Sequence, residues 1–211
     1  VPTIEQARAW YPADDPVHGF DHVLRVLARA GVLAREVGAD WEIVQAACLL
    51  HDASGAAPGA HGGRSFHEQA SAEFARDRLR SEGWSETRIE AVLHCIRSHR
   101  FRGRENPQTL EAKVLFDADK LDVLGAFGVA RTIGYALQAG QPVYAEPSPQ
   151  FLSRGAPTDG EPHSAYHEYL FKLRHVADRL HTEPARRMAG PLRRLLDEFF
   201  QQLQREARGE G

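Results

Sequence analysis

The chain has 211 residues, 42% of them hydrophobic and 26% charged, which excludes a disordered or membranous composition and suits one domain with its own core. Its net charge of -3 argues against a general coat for extended nucleic acid, yet leaves room for a small anionic ligand beside a metal or a local basic group. Cys48 and Cys95 lie in apolar helical patterns and read as buried free thiols; with no apolar run of spanning length and no signal-like start, a cytoplasmic protein is expected, without a membrane partner.

Thr3 and Gln6 have the spacing of a capping box for a short first helix. Asp15 and Pro16 read as the cap and first residue of a second. Its apolar positions Val23, Val26, Leu27, Ala30, Leu33, Ala34 and Val37 recur at helical spacing until Gly38. Asp40 caps a third helix, Trp41 to His51, whose apolar body ends without a break in His51-Asp52. Ala53 to Arg64 is rich in Gly, Ala and Pro and reads as a loop at the mouth of a site. Ser65 and Glu68 form a second capping-box pattern, opening a helix through Leu79.

Ser85 caps a fifth helix carrying Ile89, Val92, Leu93, Ile96 and His99. After a polar turn, Thr109 opens the stretch Leu110 to Leu137, where Gly125, Gly128 and Gly134 signal close packing or a break. Gly140 to His163, rich in Pro, Gly and Ser, reads as a long loop or lid. Two closing helices are expected, about Ser164 to Leu180 and Thr182 to Arg205, the last kinked at Pro191. Nothing alternates with period two for long. The expectation is an all-α, single-domain bundle, with a core over about 16–137 and C-terminal helices over about 164–206 packed on it.

The chemistry-bearing residues are His22, His51-Asp52, His67, His99 and Asp119, each near a helix end or in an apolar helix. Imidazole and carboxylate together suit a divalent ion such as Mn, Mg, Ni, Co or Fe, and no clustered cysteines suggest a closed zinc site. His67 and His99 suit phosphate binding or a second metal, or are packed histidines at helix ends. Glu68 reads equally as the capping partner of Ser65 or as a proton acceptor. Lys120, one of three lysines, reads as a cation for the transferred phosphoryl group, or as an ion-pair partner of Asp117 or Asp122. Asp122 suits a supporting role behind a His or Lys. Arg25, one turn from His22, reaches a phosphate or fixes a carboxylate; Arg131 reads as structural. His94 falls off the face of His99, and His18, His61 and His163 sit in turn-like segments that would rim a mouth.

The segments His18-Gly-Phe-Asp-His22-x-x-Arg25-Val26, Ala47-x-Leu49-Leu50-His51-Asp52, His67-Glu68-x-x-Ser71-Ala72 and Ile96-x-Ser98-His99 resemble the HD-domain metal-dependent phosphohydrolases. So does the longer block Thr109-Leu-Glu111-Ala-Lys113-Val-Leu-x-Asp117-Ala-Asp119-Lys120-Leu-Asp122, running on into Gly125-Ala-x-Gly128-x-Ala130-Arg131-Thr132. The resemblance covers about residues 16–137, and faintly Leu173 to Thr182, and is to a bacterial branch that includes nucleotide pyrophosphohydrolases. It implies an all-α fold and the metal ligands His22, His51, Asp52 and Asp119, with Mn as the expected ion. The family often has Ser-Phe where this chain has Arg100-Phe101.

The expected activity is hydrolysis of a nucleoside or deoxynucleoside triphosphate to monophosphate and pyrophosphate by metal-activated water. Asp52 would orient that water, with Lys120, His67 and His99 stabilising the added charge. A 5'-nucleotidase or a cyclic-nucleotide phosphodiesterase is the alternative enzyme. A non-catalytic module sensing a metal or nucleotide is the alternative of another class. Oligomeric state is open.

Overall fold

The structure is a computed structural model, and residues 1–11, 19–54, 67–101, 103 and 105–210 are described. Among these residues every regular element is helical, as expected from the sequence. The chain divides into two compact units, Val1–Lys120 with Leu180–Ala185, and Leu121–Arg179 with Arg186–Gly211.

The first unit carries helices α1 (Ile4–Arg8), α2 (Phe20–Val37), α3 (Trp41–Leu50), α4 (His67–Ser81), α5 (Glu86–Ser98) and nearly all of α6 (Leu110–Leu121). The Thr3–Gln6 capping box forms in both directions at α1. Asp15, Pro16 and Ser65 lie outside the described residues, so the two starts expected there have no structural account; α2 begins at Phe20 after Gly19. Gly38 closes α2 with φ 74°, a conformation that glycine adopts without a Cβ clash. Asp40 then accepts from the N–H groups of Glu42 and Ile43 and starts α3. Arg88 forks onto Asp40 and Glu42, tying the start of α3 to α5. Ser85 occupies the cap position of α5, but its hydroxyl makes no capping bond.

α3 is the centre of this unit. It packs on α2, α4 and α5, and Ala46 to Leu50 have no exposed surface. Each buried leucine contributes on the order of 1.5–3 kcal/mol relative to exposure. With its last five residues covered on all sides, the helix carries its C-terminal end, and therefore His51 and Asp52, inward.

In the second unit the expected break after α6 is real. α7 (Gly125–Gln138) begins at Gly125, whose φ is 64° and whose added Cβ would come within 2.9 Å of Leu192. A Cβ on Gly128 would meet the Val123 carbonyl oxygen at 2.2 Å. Those two glycines let the chain turn where a longer helix would otherwise run on. Gly140 to His163 is not all loop: Ser148 caps α8 (Pro149–Arg154) inside it. The helix expected over 164–180 is shorter. α9 (Ala165–Phe171) gives way to 3-10 turns at Leu173–His175 and Ala177–Arg179, before α10 (Glu183–Ala207). Tyr169 stacks on Phe200 with centroids 4.6 Å apart and donates to Asp197 at 3.0 Å, fixing α9 against α10.

Candidate metal centre

The last carbonyls of any helix lack donors from within it. At the end of α3 the Cys48 carbonyl accepts from His51 Nδ1 at 2.8 Å, the Leu49 carbonyl from the Tyr11 hydroxyl at 3.0 Å, and the Leu50 carbonyl from Ala53 N–H at 3.2 Å. A carbonyl only accepts, so Nδ1 of His51 carries the proton and Nε2 presents a lone pair. His99 repeats the device at the end of α5. Its Nδ1 donates to the Ile96 carbonyl at 2.6 Å, leaving Nε2 as the acceptor. Two helix ends thus fix two imidazoles in the tautomer that a metal ligand needs.

Asp52 lies between these rings. Its Oδ2 is 3.5 Å from His51 Nε2, while its Oδ1 is 3.5 Å from His67 Nε2 and 3.6 Å from His99 Nε2. Two overlapping sets result, His22–His51–Asp52 and Asp52–His67–His99, each with one donor atom per residue and all within 4.8 Å of one another. Asp119 approaches His22 at 3.4 Å and forms an ion pair with Lys120. Burial disfavours the Asp52 carboxylate, but His51, His99 and His67 outweigh it and hold the group well below the usual range. Burial of Asp119 is likewise outweighed, first by Lys120 and then by His22 and His99. Burial pushes His51 down to about 4, so it stays neutral.

Two of these atoms, His51 Nε2 and Asp52 Oδ1, are buried without a hydrogen-bond partner. Buried polar groups are ordinarily paired, and leaving one unpaired costs on the order of 1–3 kcal/mol. Both are electron-pair donors facing one space, a neutral imidazole and an ionised carboxylate. The residues present therefore fit a divalent cation.

The remaining expectations separate cleanly. Lys120 pairs with neither Asp117 nor Asp122, because both are engaged elsewhere. Asp117 accepts from the N–H groups of His181 and Thr182 and from the Thr182 hydroxyl, while Asp122 accepts from Arg131 at 2.9 Å. The ammonium turns instead to Asp119 and lies 5.4 Å from the Phe116 ring centroid. Arg25 contacts Asp21 at 2.5 Å, one helical turn away. Glu68 is buried, 3.6 Å from His67 Nδ1, with Arg100 Nη1 at 3.5 Å from both of its oxygens. Arg100 was legible only as a departure from the family pattern, and Tyr11 carried no signal, since its partner is 38 residues away. His94 donates to Glu105 and accepts from Gln108 N–H, a structural role. His18 and His61 lie outside the described residues. His163 belongs to the second unit, 3.6 Å from Glu168.

A model of the HD domain matches residues 19–124, half of the chain and the whole span from His22 to Asp122. The chain belongs to the HD-domain family. The chain is also similar to the uncharacterized protein YpgQ of Bacillus subtilis, 28% identical over 213 residues, covering 97% of this chain and 94% of YpgQ. The structure of YpgQ in complex with ADP superposes with a TM-score of 0.73 at 27% identity, covering 99% of this chain and 100% of that one. An HD-superfamily hydrolase from Bacillus thuringiensis gives 0.68 at 25% identity, over 97% of this chain and 94% of that one. A Lactobacillus plantarum protein, 24% identical, shares the fold with a TM-score of 0.76 over 98% of this chain and 95% of its own. This HD domain carries the His/Asp cluster of a metal-dependent hydrolase. Among the described residues, no helix is long and apolar enough to cross a membrane.

Proposed function

We propose that the chain is a metal-dependent phosphohydrolase that cleaves a nucleoside or deoxynucleoside triphosphate to the monophosphate and pyrophosphate. The observation that carries this reading is the pair of orphaned buried donors, His51 Nε2 and Asp52 Oδ1, at the centre of a ring of imidazoles. ADP bound to YpgQ supports a nucleotide as the ligand class. His22, His51, Asp52 and Asp119 would hold the ion, with Mn the expected metal. When bound, it supplies an acidified water and offsets phosphoryl charge.

The chain's own groups then have separable roles. His51 enters neutral, its Nδ1 proton held by the Cys48 carbonyl, so that Nε2 donates its lone pair without first losing a proton. Asp52 stays ionised and offers a second oxygen as hydrogen-bond acceptor for the attacking water. His67, facing Asp52 from the other side, contacts the phosphoryl oxygens, and His99, whose Nε2 is an electron-pair donor, would act there through a second metal ion. Lys120 balances Asp119 and contributes positive charge where negative charge develops. Glu68, between His67 and Arg100, is a proton acceptor facing His67 Nδ1. Arg25 reaches a phosphate at the edge.

The test is turnover of a nucleotide panel with added Mn, separating the products. Pyrophosphate with a monophosphate supports the reading. Orthophosphate alone makes the chain a nucleotidase, opening of a cyclic nucleotide makes it a phosphodiesterase, and binding without turnover makes it a sensing module.

A further inference from the structure

We infer that Tyr11 is a positioning residue for the His51-Asp52 pair, so that the N-terminal segment is part of the foundation of the metal centre. The inference rests on the metal reading above and adds a residue to it. Tyr11 is buried in an apolar cluster with Ala7, Phe20, Val23 and Leu49, where a phenylalanine would pack as well. Its ring lies 5.4 Å from that of Phe20. What phenylalanine lacks is the hydroxyl, which donates to the Leu49 carbonyl at 3.0 Å inside this apolar surround.

That carbonyl is one of three at the end of α3 with a donor from outside the regular ladder. The neighbouring one, of Cys48, is the one that fixes the His51 tautomer. The two bonds therefore hold consecutive peptides immediately before the ligand pair, one from His51 itself and one from Tyr11. Without the hydroxyl, the peptide after Leu49 is free to tilt toward another donor, and His51 Nε2 tilts with it. Partners that orient a metal ligand from behind typically change metal affinity by about 10- to 100-fold when removed.

The experiment is Mn(II) titration by calorimetry, with a melting curve, on metal-stripped full-length wild type, Tyr11→Phe, Trp10→Leu and His51→Ala. Trp10 packs on the same cluster and on Phe74, so its replacement loosens the segment while keeping the Tyr11 hydroxyl. Tyr11→Phe should weaken Mn binding by about tenfold or more, with a smaller loss of melting temperature than Trp10→Leu, whose Mn affinity stays within about twofold of wild type. Equal loss of affinity in both variants would make the effect general loosening and overturn the inference, as would an unchanged affinity in Tyr11→Phe. If wild type binds no more Mn than His51→Ala, the metal reading itself fails, and this inference falls with it.

Discussion

Two buried histidine–carboxylate arrangements in this protein have the same parts and opposite accounting. In the second unit, Glu161 accepts from Ser148 N–H at 2.6 Å, Ser148 Oγ at 2.7 Å, Thr158 N–H at 2.6 Å, Thr158 Oγ1 at 3.0 Å and His167 Nε2 at 3.1 Å. His167 Nδ1 in turn meets Ser164 Oγ at 2.7 Å. By residue type this is a Ser-His-Glu line, and its spacing resembles a nucleophile with its base. Yet Ser164 is fully buried, and its hydroxyl caps α9 by accepting from His167 N–H. Every polar atom in the line has a partner within the protein. In the first unit the ring of His51 is as fully covered as that of His167, but the buried atoms His51 Nε2 and Asp52 Oδ1 have none. A satisfied cluster holds a fold together; a buried cluster with electron pairs to spare is built for something else.

The comparison breaks most visibly at the metal ligands. His51→Ala or Asp52→Ala should lose bound metal and all detectable turnover while keeping near-native helical content by circular dichroism, because α3 is held by its apolar body. Full metal occupancy in either variant would remove that residue from the ligand set. Lys120→Ala should retain metal and lose turnover on the order of 10²- to 10³-fold, with Lys120→Arg recovering only part. Near-normal turnover with a lowered melting temperature would reduce Lys120 to a structural partner of Asp119. Glu68→Gln should cost about 10²-fold in turnover with an unchanged melting curve. A normal rate would leave Glu68 a buried partner of Arg100 and nothing more.

The smallest effect on turnover belongs to Glu161. Burial alone would raise its pKa, but Ser148, Thr158 and His167 outweigh burial and hold it far below its ordinary 4.5. A depressed folded-state pKa adds stability that is present above the unfolded value and is lost as pH falls through the folded one. The melting temperature of wild type should therefore drop as pH is lowered below about 4.5, over a range where Glu161→Gln, already weaker at neutral pH, changes less. Turnover of the variant at neutral pH should match wild type. Parallel pH curves would show that the carboxylate is not held as these bonds require.

Most of the helices and the gathering of the site were legible in the sequence, because both rest on local signals. The caps at Thr3 and Asp40, the stop at Gly38 and the break at Gly125 each follow from a residue and its immediate neighbours. The apolar run before His51 marked a helix that delivers the pair into the interior. What was not legible depended on distant partners. Lys120 turned to Asp119 because Asp117 and Asp122 were already committed, the first to backbone 64 and 65 residues away. The segment 140–163 looked structureless because its order comes from Glu161, a single carboxylate gathering donors up to 13 residues away. The closing helix stopped early at Phe171 without a glycine or proline to announce it.

The central claim is that the unsatisfied atoms mark a divalent-ion site and the satisfied line does not. The most direct measurement is a crystal of the full chain soaked in Mn(II), with anomalous data collected at the manganese edge. The account expects a strong peak coordinated by His51 Nε2 and Asp52, and none beside Glu161 and His167. A peak at Glu161, or an empty cluster at His51 and Asp52 under saturating Mn, would contradict it.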